Sequence, residues 1–130
     1  MRSPLAFFAV VWTAVVAGMP ALALVDIETS ALPGRAREIV VVEVDNCLYC
    51  GLFRRDVAPT YRNSQRARSV PMRFVDINAP AFEKLKLDGP VESVPTVIVI
   101  EDGREVGRIA GYIGPENFFH SLSRLLPDAD

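Results

Sequence analysis

Two cysteines are the residues of this chain whose type and spacing can do chemistry. Cys47 and Cys50 are the only cysteines among the 130 residues, and two positions separate them. Such a pair can be half of a zinc site, a structural disulfide or a redox-active dithiol. A zinc site would lack two ligands, because the single histidine, His120, falls far along the chain on a predicted helix. A structural disulfide closing so short a loop gains only roughly 2 kcal/mol, so redox chemistry is the favoured interpretation and no metal is expected.

The position of Cys47 between two predicted elements favours a reactive thiol. A strand is predicted immediately before it and a helix from about Leu48. At a helix N-terminus, free backbone N–H groups and the helix dipole stabilise a thiolate. Cys50 lies one turn further along the helix, close enough to attack a disulfide formed at Cys47. We therefore assign Cys47 as the nucleophile and Cys50 as the resolving thiol in disulfide exchange with a partner protein.

The first half of the folded region is predicted to be a strand, a helix and a second strand. Residues 39–44 form a β-branched run that suits a central strand covered on both faces. In the following helix Cys50 and Phe53 share a buried stripe, and Pro59 should kink the helix or end its first half. Residues 72–77 form the second strand, which completes a right-handed βαβ unit.

The second half is predicted to contain a weak helix, a hairpin and a terminal helix. The weak helix covers residues 81–87. Strands over residues 96–100 and 105–110 flank an Asp-Gly dipeptide, which is typical of a hairpin turn. Pro115 begins an amphipathic terminal helix. The order β-α-β-α-β-β-α predicts an α/β fold with a mixed four-stranded sheet and helices on both faces.

The composition excludes several other classes of protein. Half of the residues are hydrophobic and 23% are charged, which argues against a disordered chain. The formal net charge of −2 gives no electrostatic basis for binding nucleic acid. Two cysteines are too few for a disulfide-stapled scaffold.

The N-terminal segment has the pattern of an export signal. Arg2 precedes an almost unbroken apolar run over residues 5–17, and Ala21-Leu22-Ala23 supplies the small-x-small pattern of a cleavage site. We expect cleavage after Ala23, so that residues 1–23 are a signal peptide and residues 24–130 form one domain. The alternative is an uncleaved membrane anchor. In either case the domain is expected outside the cytoplasm, with no membrane contact after cleavage.

The order of these features resembles the thioredoxin family over residues 39–126. The shared features are the strand–Cys-x-x-Cys–helix unit, Val94-Pro95-Thr96 before the third strand, the Asp-Gly hairpin, Gly111 and the terminal helix. The resemblance implies a cis Val94–Pro95 peptide bond that faces Cys47 across the active site. It also implies that the backbone N–H and C=O groups of Val94 bind an extended partner peptide by strand addition.

Within this family the chain is similar to SoxS-type proteins, which are periplasmic and associated with bacterial sulfur oxidation. The similarity lies in residues 57–59, residues 73–77 and the hairpin residues 102–109 that lead to Gly111-Tyr112. It implies a monomeric periplasmic thiol-disulfide oxidoreductase that reduces or reactivates a cysteine-bearing protein of sulfur oxidation.

The expected partners follow from the same similarity, and the binding residues follow from the wider thioredoxin resemblance and from the position of Tyr49. The partners would be that cysteine-bearing protein and a periplasmic electron donor or acceptor. No cofactor beyond the Cys47–Cys50 disulfide is expected. Val94, Pro95 and Tyr49, which is exposed between the cysteines, are the expected substrate-binding residues.

Two other interpretations remain open. Among enzymes, the chain could be a general disulfide oxidant, an isomerase or a reductant of cytochrome c maturation. From a different class, it could be a binding module whose Cys-x-x-Cys disulfide is only structural.

The chain departs from reducing thioredoxins around the cysteines. Leu48-Tyr49 replaces their Gly-Pro, and Asn46 stands where they carry Trp. Their buried acid, six residues before the first cysteine, corresponds to Val41, which cannot accept a proton. Deprotonation of Cys50 would then use water, Glu43 or Asp45, and the direction of electron flow does not follow from these residues.

Six arginines are concentrated in one stretch of 20 residues. They are Arg54, Arg55, Arg62, Arg66, Arg68 and Arg73. A solvated face of the fold is the favoured interpretation, and a docking surface for an acidic partner is the alternative.

Overall fold

The computed structural model describes residues 36–127, and the predicted signal peptide lies outside the described residues. The elements in chain order are β1 (Arg37–Glu43), α1 (Leu48–Asp56), α2 (Ala58–Arg62), α3 (Arg66–Ser69), β2 (Met72–Asp76), α4 (Pro80–Glu83), β3 (Thr96–Glu101), β4 (Arg104–Ala110) and α5 (Pro115–Leu125). Among these residues, no helix has the length and apolar character that crossing a membrane requires.

The strands form one mixed sheet in the order β2-β1-β3-β4. β2 runs parallel to β1, whereas β3 is antiparallel to β1 and β4 is antiparallel to β3. The parallel pair needs a crossover connection, which α1, α2 and α3 supply. The predicted mixed four-stranded sheet is confirmed.

Both faces of β1 are buried, as its β-branched run predicts. Ile39 and Val41 contribute to one apolar cluster, which α1, α2 and α5 cover. Val40 and Val42 contribute to a second cluster on the opposite face, where Phe82 of α4 packs. Helices therefore cover both faces of the sheet. The second face is covered by α4, which has only four residues.

The first helical region divides where Pro59 predicts a break. α1 ends at Asp56, and α2 begins at Ala58 with Pro59 in its first turn. Proline is tolerated there because the N–H groups of a first turn have no partner within the helix. Val57 joins the two helices and is fully buried.

The predicted helix over residues 81–87 is wrong beyond its first part. α4 ends at Glu83, and Lys86 instead forms a β-bridge with Arg104. Leu85 and Leu87 both pack on the second cluster. Apolar residues two positions apart face the same way in an extended chain but not in a helix. The bridge to β4 therefore favours the extended conformation over the helix here.

The predicted hairpin is confirmed, and its far strand carries a bulge. Asp102 and Gly103 both adopt positive φ, 51° and 79°, as in the turns that match the twist of a tight hairpin. Beyond the turn the register shifts, because Ile100 pairs with Glu105 whereas Val99 pairs with Gly107.

Phe53 is the centre of the aromatic packing beneath α1. Its ring makes edge-on contacts with Phe74, Tyr112 and Phe118, and the side chain is 1% exposed. We expect Phe53→Ala to lower the free energy of unfolding by about 3–5 kcal/mol, because it removes the contacts and leaves a cavity. Denaturant unfolding of the oxidised protein measures the change.

Leu48→Ala is the matched control, because Leu48 lies on the same helix and is exposed. It should change the free energy of unfolding by no more than about 0.5 kcal/mol. Equal losses for the two variants would contradict the assignment of Phe53 to the core.

Candidate active site

A turn at the end of β1 places Cys47 at the start of α1. Asn46 adopts a positive φ of 61°, and asparagine is one of the few side chains that enters this region at low cost. Cys47 follows with an extended backbone, φ −87° and ψ 112°, as the N-cap of α1. The expected position of Cys47 at the helix N-terminus is confirmed.

The two cysteines form a disulfide in this structure, and their environments differ. The Sγ atom of Cys47 accepts a hydrogen bond from the backbone N–H of Cys50 at 3.1 Å. Cys47 is half-buried, whereas Cys50 is 4% exposed. A partner's sulfur therefore reaches Cys47 first, and after reduction the same N–H group stabilises negative charge on that sulfur.

Val94, the residue before Pro95, lies against the disulfide, although 47 positions separate it from Cys47. The Val94 carbonyl oxygen is 3.9 Å from the Cys47 Sγ atom. The Val94–Pro95 peptide bond is cis, as the family resemblance implies. Pro95 itself is buried and Val94 is half-buried, so this segment presents its backbone more than its side chains.

Apolar side chains surround this end of the sheet. Tyr49 is 56% exposed, as expected, and its neighbour Leu48 is 72% exposed. Ile113 is 84% exposed, a feature that the sequence patterns above do not predict. It follows β4, whose last residue Ala110 pairs with Thr96, so it belongs to the same end of the sheet as Pro95.

Ile113 has a weak sequence signal. It stands between Gly111 and Gly114, which both adopt positive φ, so it lies in an irregular loop outside the helices and strands. Tyr112, its neighbour, is buried against Phe53. Tyr112 is a packing residue.

Two residues that bear on the proton acceptor for Cys50 have defined surroundings. Val41 is fully buried at the position of the family's acid. Glu43 accepts hydrogen bonds from Arg54 on both carboxylate oxygens, one of them at 2.8 Å, and this pairing raises the pKa of Arg54. The Arg54 side chain thus occupies one side of the Glu43 carboxylate, and water, Glu43 and Asp45 all stay open as acceptors.

Three of the six clustered arginines pair with carboxylates of the fold itself. Arg54 pairs with Glu43, Arg55 with Asp56, and Arg73 with Glu38. Within residues 36–127, Arg62, Arg66 and Arg68 form no salt bridge. A docking surface for an acidic partner stays the alternative to a solvated face, and these three arginines are the ones whose charge no carboxylate of the described residues pairs with.

Residues 36–127 contain no cluster of three or more potential metal ligands, and His120 is exposed on α5.

A half-buried N-cap sulfur in a disulfide with a buried partner, beside a cis-proline, is the redox centre of a thiol-disulfide oxidoreductase. The thioredoxin-like domain family matches residues 24–126. The chain belongs to this family, and its fold is thioredoxin-like.

Solved structures give the same fold. The reduced periplasmic thioredoxin SoxS from Paracoccus pantotrophus is 30% identical, with a TM-score of 0.65, and the match covers 72% of this chain and 99% of that one. Fasciola hepatica thioredoxin is 23% identical, with a TM-score of 0.51 and coverage of 70% and 81%. Trxlp from Edwardsiella tarda is 22% identical, with a TM-score of 0.52 and coverage of 68% and 84%. No curated protein sequence matches the chain significantly.

The two thiols of the reduced protein should differ in reactivity. We expect the pKa of the Cys47 thiol to lie below the ordinary value of about 8.5, because the helix N-terminus and the Cys50 N–H stabilise its thiolate. Alkylation by iodoacetamide across a pH series, read by peptide mass spectrometry, should modify Cys47 first and Cys50 slowly. The protein unfolded in denaturant is the control, and equal rates in the folded protein would contradict the assignment.

Asn46 should tolerate glycine but not a β-branched residue. Asn46→Val forces a branched side chain into positive φ and should lower the free energy of unfolding by about 1–2 kcal/mol. Asn46→Gly should leave it unchanged or higher, because glycine adopts this conformation freely. Thermal unfolding of both variants measures the difference, and a stable Asn46→Val variant would show that the turn relaxes.

Proposed function

We propose that the protein is a periplasmic reductant of a cysteine-bearing protein of sulfur oxidation, with Cys47 as nucleophile and Cys50 as resolving thiol. The observation that carries the division of roles is the difference in burial between the two cysteines. The location and pathway rest on the likeness to periplasmic SoxS and on the signal pattern of residues 1–23.

The reaction consists of two exchanges. The Cys47 thiolate attacks one sulfur of the partner's disulfide, so that a mixed disulfide forms and the other partner sulfur leaves as a thiolate. The Cys50 thiolate then attacks the Cys47 sulfur, forms the Cys47–Cys50 disulfide and releases the second partner thiol. Two electrons pass to the partner, and a periplasmic dithiol donor must return them before the next turnover.

The Val94 backbone supports binding of an extended partner segment. Its carbonyl group lies beside the Cys47 sulfur, and within the described residues its N–H group donates no hydrogen bond. A peptide aligned with Val94 would pair with both groups, as in strand addition. Leu48, Tyr49 and Ile113 would cover apolar side chains on either side of that segment.

The resolving step offers a way to identify the partner. Cys50→Ala leaves the first exchange intact and blocks the second, so mixed disulfides should accumulate in the exporting cell. They should appear as heavier bands on non-reducing gels and disappear on reduction, and mass spectrometry identifies the trapped protein. A trapped sulfur-carrier protein supports the proposed pathway. Trapping of many unrelated secreted proteins would favour a general oxidant or isomerase, and trapping of cytochrome c would favour a reductant of cytochrome c maturation.

Cys47→Ala is the matched control for the trapping experiment. It removes the accessible sulfur and retains the buried one, so we expect almost no trapped species. Trapping by Cys47→Ala as strong as that by Cys50→Ala would contradict the assigned roles. So would an absence of trapping by both variants while the wild type reduces insulin with dithiothreitol as donor.

A further inference from the structure

The bulge in β4 brings two charged residues to the same face of the sheet. Glu105 pairs with Ile100 and Gly107 with Val99, so Val106 is an extra residue in β4. In a regular strand, residues three apart point to opposite faces. The extra residue reverses this alternation, and Glu105 and Arg108 therefore face the same way.

Glu105 and Arg108 form a doubly hydrogen-bonded ion pair, here called the clamp. The Arg108 Nε and Nη2 atoms donate to the two Glu105 carboxylate oxygens at 2.5 and 2.6 Å. Glu105 is 8% exposed, which is unusual for a carboxylate. The Arg108 guanidinium, which is half-buried, lowers the pKa of Glu105 by its hydrogen bonds, so the Glu105 carboxylate is charged at neutral pH.

The clamp holds the loop formed by residues 84–95. Arg108 donates to the carbonyl oxygens of Pro90 and Gly89 at 2.7 and 3.1 Å. A Glu105 side-chain oxygen accepts the Asp88 N–H at 2.9 Å, and the Glu105 N–H donates to the Lys86 carbonyl at 3.2 Å. The stretch of loop from residue 86 to residue 90 is thereby fixed to β4 at four points.

The same loop ends at the active site. From Asp88 to Val94 the chain contains neither helix nor strand, and Val94 then places its carbonyl oxygen beside the Cys47 sulfur. The hold on residues 86–90 adds to closer contacts of this segment: the Thr96 hydroxyl donates to the Ser93 carbonyl oxygen at 2.7 Å, and Val94 packs on the second cluster.

We propose that Glu105 and Arg108 are positioning residues that act through residues 86–94 on the Val94 backbone, so that it meets an extended partner segment at Cys47. The inference rests on the proposed roles of Cys47 and Val94. Stability alone is a poor account of the clamp, because removing the Glu105 carboxylate from water costs free energy that the pairing with half-buried Arg108 has to offset. The planar guanidinium instead fixes two carbonyl groups and a carboxylate in one geometry.

The test variant is the double substitution Glu105→Gln/Arg108→Gln. It leaves no unpaired buried charge, and the new amide oxygen at position 105 can still accept the Asp88 N–H, while the bonds from Arg108 to the loop carbonyl groups are lost. The matched control is Glu38→Gln/Arg73→Gln. Arg73 of β2 also donates to both carboxylate oxygens of Glu38, at 2.7 and 3.0 Å, and neither side chain hydrogen-bonds to residues 86–90.

Two substrates separate positioning from general damage. Insulin presents an extended peptide on its disulfide, whereas 5,5′-dithiobis(2-nitrobenzoate) offers a disulfide without a peptide backbone. We expect the clamp variant to lose about tenfold in kcat/KM for insulin, mainly through a higher KM. Its rate with the small disulfide should stay within about twofold of the wild type, and the control variant should match the wild type with both substrates.

Arg108→Lys keeps the positive charge opposite Glu105 but removes the planar guanidinium and its paired hydrogen bonds. This variant keeps the proposal testable if the double variant does not fold. It should unfold at nearly the wild-type temperature and show an intermediate insulin defect. An equal loss of kcat/KM with both substrates would overturn the positioning role, and so would no loss with insulin in either clamp variant. In both cases activity of the wild type would still uphold the proposed function. A wild type that reduces neither substrate would overturn both.

Discussion

The burial of β1 on both faces fixes where the reactive sulfur lies. Apolar clusters on its two faces hold β1 in place. After β1 the chain leaves the sheet, and Asn46 turns it into α1. The antiparallel pairing of β3 with β1 matches Thr96 with Val42 at that same end. The residues just before Thr96 therefore meet the residues just after β1, and two sites far apart in sequence become one.

Features decided by neighbouring residues could be predicted from the sequence. The β-branched run predicted a central strand, the Cys-x-x-Cys position predicted an N-cap thiol, and the Asp-Gly pair predicted the hairpin, since each depends on a few adjacent side chains. The early end of α4 and the bulge at Val106 could not be predicted in this way. Both depend on hydrogen bonds between the loop after α4 and β4, which no local pattern records.

Both edges of the sheet carry an arginine bound to a carboxylate by two hydrogen bonds. On β2 this is Arg73 with Glu38 of β1, and on β4 it is Arg108 with Glu105. Charged side chains on an edge strand discourage its pairing with another chain. A partner segment that binds by strand addition would then favour the Val94 backbone over the two sheet edges. Within the described residues, no ion pair of this kind lies at Val94.

Val41 stands where the resemblance to thioredoxins places a buried acid. This replacement affects the attack by Cys50 more than the attack by Cys47. Cys47 can hold a thiolate through the helix N-terminus and the Cys50 N–H, whereas Cys50 is buried and must lose its proton before it attacks. Glu43 is the nearest acid in sequence on β1, but Arg54 binds both its oxygens while stacking 3.8 Å above the Phe74 ring. Glu43 thus serves the packing of α1 against β2. With valine at position 41, deprotonation of Cys50 depends on water, Glu43 or Asp45 instead of on an internal acid at that position.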